Sequence, residues 1–191
     1  MKRILIALFL VLSLIICLPS CGEKIEENPD FAKYNEMFNK TFENYTIDVA
    51  VTSLIGLTRT EKYVVTTTDG VRSVSYKIEK LNEIDTSGDT IVLPEGYVSV
   101  TEGVYSAEQS ANEGFNVPKF YFSYNCLDTR EISTYNLYST GVTSIEKFMG
   151  LNVSATNGSV KLIFNKDVVT AIAVSFITES ANTVAITYTF N

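Results

Sequence analysis

The chain has 191 residues, 46% of them hydrophobic, and a formal net charge of −7. An acidic surface repels nucleic acid and anionic lipid headgroups, so the composition disfavours DNA, RNA or peripheral-membrane binding. Histidine is absent, which removes the usual general base at neutral pH, both familiar nucleophilic triads and most zinc and copper sites.

The first twenty residues have the pattern of a secretory signal. Lys2 and Arg3 give a basic start, and residues 4–16 form an apolar run whose most polar member is Ser13. A membrane-spanning helix needs about 20 apolar residues, whereas a signal-peptide core needs only about 7 to 15. The segment is therefore interpreted as a removable export signal.

A four-residue segment shortly after this run resembles the bacterial lipobox, which places an aliphatic residue three positions before a cysteine. The segment is Leu18-Pro19-Ser20-Cys21. The resemblance implies that Cys21 receives a diacylglyceryl thioether and further acyl chains such as palmitate, and that a signal peptidase cuts before it. Two acyl chains anchor a protein stably to a membrane. In the alternative, the protein is an ordinary secreted one and Cys21 is incidental.

Cleavage would divide the chain into three parts, which are a signal peptide over residues 1–20, a lipidated cysteine with its tether over 21–29, and a single α+β domain over 30–191. Loss of two basic residues leaves 13 basic against 22 acidic side chains, a net charge of −9. Cys17 leaves with the signal and Cys21 carries lipid, so Cys126 has no partner for a disulfide. We expect Cys126 to be a buried apolar residue rather than a nucleophile.

The spacing of start signals predicts a helix over residues 30–43. Asn28 suits the N-cap position and Pro29 the first helical position. Aromatic residues then recur at helical spacing, at Phe31, Tyr34, Phe38 and Phe42. This face is expected to pack on the protein's own sheet, with a ligand groove or a partner as the alternative.

Period-2 alternation from Tyr45 onward predicts antiparallel strands. Asp69-Gly70 and Asn157-Gly158 have the composition of type I′ hairpin turns. The C-terminal part is interpreted as a four-stranded meander after a short helix at residues 144–149. Its predicted strands are residues 151–156, 159–164, 168–178 and 183–190.

The middle of the chain is predicted to hold further strands, including one over residues 117–125. Phe120, Phe122 and Tyr124 lie on one face of it. Together with Phe31, Tyr34 and Phe38 they are either core residues or the wall of an apolar ligand cavity.

No catalytic or metal-binding pattern is complete. Ser144 and Lys147 have the S-x-x-K spacing of penicillin-binding enzymes, but the S-D-N and K-T-G elements are missing. The acidic residues Glu83, Asp85 and Asp89 lack calcium-loop spacing and are expected to be solvated. We therefore expect a protein that is not an enzyme and has no metal and no cofactor beyond the acyl chains.

The order of elements resembles the LolA and LppX type of unclosed β-barrel lipoprotein, because an N-terminal helix precedes a long run of strands and a C-terminal meander. The resemblance implies one large curved antiparallel sheet, possibly a half-barrel, with the helix packed on it. It also implies an extracytoplasmic protein of the bacterial cell envelope that binds a lipid or small apolar ligand. The alternative is a scaffold lipoprotein with a solid core, which contacts envelope partners through its outer surface.

Overall fold

The structure, a computed structural model, describes residues 29–53, 56–80, 83–84, 90–91, 99–123, 126–127, 134–137, 143–150, 155–166 and 168–191. Predictions for the signal peptide, Cys21, the tether, Tyr124, Asp85 and Asp89 fall outside these residues, and the side chains of Glu83 and Ser144 do as well.

The described part of the chain contains three α-helices, one 3-10 turn and ten strands. In chain order these are α1 (Pro29–Phe38), β1 (Tyr45–Ser53), β2 (Gly56–Thr68), β3 (Val71–Lys80), β4 (Glu83–Ile84), β5 (Thr90–Ile91), β6 (Ser99–Val104), α2 (Ala107–Ser110), the 3-10 turn (Glu113–Phe115), β7 (Thr134–Leu137), α3 (Thr143–Met149), β8 (Ala155–Asn165), β9 (Val168–Thr178) and β10 (Thr183–Phe190).

Eight of the strands form one antiparallel sheet in the order β6-β3-β2-β1-β10-β9-β8-β7, while β4 and β5 pair separately. The edge strands β6 and β7 do not pair with each other, so the sheet is open. The predicted α+β class with one large antiparallel sheet and an N-terminal helix packed on it is confirmed.

Alternation along the strands gives the sheet two unlike faces. One face, here called the core face, carries Tyr45 and Ile47 from β1, and Ile172 and Val174 from β9, all of them buried. Tyr188 of β10 lies beside them. The outer face is rich in threonine, alanine and serine. Apolar burial on one side of the sheet is the source of its stability, at roughly 25 cal/mol per Å².

The turn predicted at Asp69-Gly70 is confirmed. Both residues have positive φ, 51° for Asp69 and 76° for Gly70, as a type I′ turn requires. The turn joins β2 to β3 with Thr68 opposite Val71.

The turn predicted at Asn157-Gly158 is wrong. Residues 155–165 form the single strand β8, and the register against β9 skips Asn157, whose φ is 45°. Asn157 therefore forms a β-bulge, because asparagine tolerates left-handed φ and the eleven-residue β9 offers a continuous partner strand. Residues 151–154 of the first predicted strand lie outside the described residues. Among the described residues, the meander that follows α3 has three strands, and the fourth strand of this half, β7, precedes α3.

The first helix is shorter than predicted. It ends at Phe38, and the amide of Asn39 bonds the carbonyl of Glu36 in a tighter final turn. Phe42 consequently lies in the connection to β1, where its ring stacks on Phe190 at 4.3 Å between centroids. The stacking contact with Phe190 therefore decides the position of Phe42, although its sequence spacing is that of a helix.

Residues 117–123 form no strand, contrary to the prediction, although the chain alternates as a strand would. Phe120 and Phe122 are buried while Tyr121 is half exposed. This extended segment crosses the core face instead of joining the sheet, so its backbone bonds to side chains and to α3.

The bulge at Asn157 gives a testable consequence for stability. Asn157→Val should lower the free energy of unfolding by about 1–2 kcal/mol, because a β-branched residue is strained at positive φ, whereas Asn157→Gly should not lower it. Ser159→Val, at an exposed position of the same strand, is the control. Urea denaturation measures all three, and equal losses for the two valine variants would contradict the bulge.

Candidate functional site

The aromatic residues predicted from the sequence lie together on the core face. Five of the six candidates are described, and all are buried, with exposed fractions of 3% or less: Phe31, Tyr34, Phe38, Phe120 and Phe122. The structure therefore brings the α1 face and the extended segment into one aromatic cluster. Whether that cluster bounds a ligand site stays a prediction.

Within this cluster the rings touch one another directly. Phe38 lies 5.0 Å from Phe120, in an edge-to-face arrangement, and 5.8 Å from Phe122, between centroids. Tyr34 lies 5.3 Å from Phe122. Such contacts add about 0.5–1.5 kcal/mol per pair to the burial of the rings. The centre of the cluster is thus filled by its own side chains.

The extended segment is fixed to α1 by one side-chain amide. Asn35 Oδ1 accepts a hydrogen bond from the Phe122 amide at 2.7 Å, and Asn35 Nδ2 donates to the Phe122 carbonyl at 3.0 Å. The Asn35 side chain thereby bonds both the amide and the carbonyl of Phe122, as the backbone of a neighbouring strand would. This is the physical reason why the segment can be buried without joining the sheet.

Helix α3 closes the cluster on another side. Ile145, Phe148 and Met149 are buried, and Phe148 lies 5.2 Å from both Phe120 and Phe122. The helix ends as predicted, with Gly150 at φ 62°. Lys147 of the S-x-x-K spacing is solvent-exposed.

Cys126 is buried, as predicted. Its thiol donates to the Tyr121 carbonyl at 3.0 Å and to the Ser123 carbonyl at 3.3 Å. Such a thiol has the surroundings of a structural residue rather than of an exposed, electropositive nucleophile.

A polar cluster holds the 3-10 turn over the first strands. Arg72 of β3 donates to the Asn116 side chain at 2.6 Å, to the Phe115 carbonyl at 2.7 Å, and to the Tyr45 hydroxyl. The Tyr45 hydroxyl in turn donates to Phe115. Burial raises the pKa of Tyr45, and the nearby Arg72 guanidinium opposes that rise. The cluster therefore holds Phe115 and Asn116 against β1 and β3.

The pKa values of two other tyrosines, Tyr63 and Tyr188, are strongly raised by their surroundings. Burial raises the pKa of Tyr63, and a hydrogen bond to Glu61 raises it further. Glu61 also pairs with Arg59 at 2.5 Å. Burial likewise raises the pKa of Tyr188. With their pKa values raised, these hydroxyls stay neutral at physiological pH.

An apolar pocket of about 210 Å³ opens where the aromatic cluster reaches the surface, at the end of α1. We call this space the apolar pocket. The residues that line it are Met37, Phe38, Lys40, Phe42, Val168, Val169 and Phe190. Phe38 belongs both to the cluster and to the pocket, and its ring lies 6.0 Å from that of Phe190. The pocket is therefore an outward continuation of the aromatic interior.

Sequence reasoning missed most of this lining. Phe38 and Phe42 were expected on the aromatic face of the helix, but Lys40 gave no signal because its position depends on where α1 ends, and Val168 gave none because it depends on where β9 meets that end. Two further grooves lie elsewhere. One, of about 400 Å³, runs between α1 and residues 119–121, and the other, of about 350 Å³, lies over β1–β3 and β10 among Asp48, Lys62, Lys77 and Glu79.

Within the described ranges, no helix is both long and apolar enough to cross a bilayer. The same residues contain no cluster of three or more acidic or cysteine side chains that could hold a metal ion.

Comparison with known proteins does not assign the chain to a family. No family model matches the chain, and no curated protein matches it. Among solved structures, a redesigned β-barrel is similar at 12% sequence identity, with 76% of this chain and 89% of that chain covered, at a TM-score of 0.24. A similarity of this size carries no inference about function.

The amide bridge of Asn35 can be tested by its removal. Asn35→Ala breaks both bonds to Phe122 and should lower the free energy of unfolding by about 1–3 kcal/mol. Asn39→Ala removes an exposed amide just beyond the same helix and should change it by less than about 0.5 kcal/mol. Urea denaturation compares the two, and similar values would show that the bridge adds nothing.

Proposed function

We propose that this protein is a bacterial lipoprotein, anchored to a membrane of the cell envelope through acyl chains on Cys21, and that its extracytoplasmic domain binds an apolar or amphipathic ligand without catalysis. The apolar pocket beside α1 is the observation that carries the ligand-binding part. The lipobox-like residues 18–21 support the anchoring part.

The pocket's chemistry supports binding of a hydrocarbon. Val169 is 6% exposed and Phe38 1%, so the floor is made of side chains already withdrawn from water. Drug-sized ligands occupy cavities of about 300–1,000 Å³, and this one is smaller, which suits a single narrow chain. Each methylene that enters would contribute about 0.8 kcal/mol.

The stacked pair of Phe42 and Phe190 gives the pocket a means to enlarge. Phe42 lies in a connection rather than in a helix or strand, and both rings are only partly buried. Their separation would widen the pocket between the connection after α1 and the end of β10. A longer chain could then enter without displacing the sheet.

The second candidate is an envelope scaffold with a solid core. The ring-to-ring packing of Phe38, Phe120 and Phe122 favours it, because those side chains fill the space that a deep cavity would need. The two candidates differ in whether hydrocarbon enters beside α1.

Anchoring predicts acylation at one atom. A cell that expresses the full-length protein and is fed an alkyne fatty acid should label the wild type, and Cys21→Ala should remove the label because the thioether cannot form. Cys126→Ala is the control and should keep it, since that thiol is buried. Labelling of Cys21→Ala would contradict the proposed anchor.

Ligand binding predicts that a neutral photoreactive alcohol, decanol with a terminal diazirine, labels the apolar pocket of the membrane-anchored protein. Peptides that contain Phe42, Val169 or Phe190 should carry the adduct when digested and measured by mass spectrometry. Val168→Trp should remove most of it, because the indole fills the pocket.

The matched control is Val71→Trp. Val71 and Val168 each begin a strand and are 65% and 64% exposed, but only Val168 borders the pocket. Equal labelling of both variants, or adducts spread over the outer face, would favour the scaffold instead.

A further inference from the structure

A second, polar pocket shares a wall with the apolar one. It measures about 190 Å³, and its lining comprises Asn39, Lys40, Thr41, Phe42, Tyr45, Asn116, Val117 and Lys119. Lys40 and Phe42 line both pockets. We call this second space the lysine pocket. The two spaces therefore meet at one lysine and one aromatic ring.

The charge of the lysine pocket is opposite to that of the protein. Its lining includes two lysines, Lys40 and Lys119, and no acidic residue, although the whole chain carries a net charge of −7. The Lys40 ammonium lies 5.4 Å from the centroid of the Phe42 ring, so it sits at the shared wall. A local cationic site attracts anions even where the total charge is negative.

The elements that build the lysine pocket are held in place independently of any ligand. Asn116 accepts a hydrogen bond from Arg72, and the Tyr45 hydroxyl bonds the same guanidinium. Lys119 follows this anchored turn and precedes the buried Phe120. Its backbone is thus fixed at both sides, while its side chain is exposed.

We propose that the lysine pocket receives the anionic headgroup of a single-chain amphiphile, with Lys40 and Lys119 as its counter-charges, while the hydrocarbon chain lies in the apolar pocket. The inference rests on the proposed ligand-binding function and names its ligand class. Lysine binds carboxylate and phosphate as a point charge, so a fatty acid and a lysophospholipid share the required chemistry.

A neutral or cationic amphiphile fits less well. A neutral headgroup would gain nothing from either ammonium group, and a cationic one would be repelled by both. A free anion would leave the adjoining apolar pocket hydrated. Only a molecule with both parts uses the two spaces together.

The test is competition against the decanol diazirine on the full-length protein in its host membrane. The competitors share a ten-carbon chain and are decanoate, decyl phosphate, decyl maltoside and decyltrimethylammonium. We expect one of the two anions to displace the label at about tenfold lower concentration than decyl maltoside, as two partly exposed charge contacts would give. The better anion identifies the headgroup.

The double variant Lys40→Gln/Lys119→Gln should abolish this preference and leave labelling by the neutral alcohol intact, which also shows that it is folded. Lys33→Gln/Lys161→Gln removes the same charge from exposed positions outside both pockets and should keep the preference. Equal competition by anionic and neutral amphiphiles in the wild type would overturn the headgroup site alone. Absence of pocket labelling by the alcohol would overturn the ligand-binding function and this inference with it.

Discussion

The structure depends on the pairing of β1 with β10, which joins the two halves of the chain into one sheet. The register runs from Tyr45 opposite Phe190 to Thr52 opposite Thr183. Both strands lie inside the sheet and have partners on both sides. This pairing closes a loop that contains most of the chain, and the loss of chain entropy exceeds what local contacts offset. Burial of the core-face side chains of β1 and β10 in the aromatic interior offsets this loss.

The same pairing creates the candidate site. It places the end of β10 beside the connection that follows α1, so that Phe190 meets Phe42 and the apolar pocket forms between them. The interior behind it is filled by α1, α3 and an extended segment that is not part of the sheet. Buried backbone outside a sheet needs other hydrogen-bonding partners, and Asn35 supplies two of them to Phe122. The side-chain amide of Asn35 thus allows the extended segment to be buried on the core face.

Net charge and local charge point to different ligands in this protein. The overall acidity disfavours nucleic acid and broad anionic surfaces, because long-range repulsion acts on extended partners. A small anion at Lys40 and Lys119 experiences mainly the nearest charges, since other surface charges are screened within about 8–10 Å at ordinary salt. An acidic protein can therefore hold a small anionic headgroup beside an apolar pocket while its net charge disfavours extended anionic partners.

The local features of this protein could be predicted from its amino-acid sequence. It placed the start of α1 at Pro29, the hairpin at Asp69-Gly70 and the alternation of β1, β9 and β10, because capping, turn φ angles and strand period depend on neighbouring residues. It also predicted five residues that meet in the aromatic cluster, since large apolar rings at regular spacing must be buried somewhere.

The remaining features arise from contacts between segments that are distant along the chain. Asn157 forms a bulge because β9 continues past it as a partner strand. Phe122 is buried outside the sheet because Asn35 bonds its backbone amide and carbonyl. Lys40 and Lys119 share a pocket although they are distant along the chain. Such pairings depend on which segments meet in space, and neither residue type nor local period contains that information.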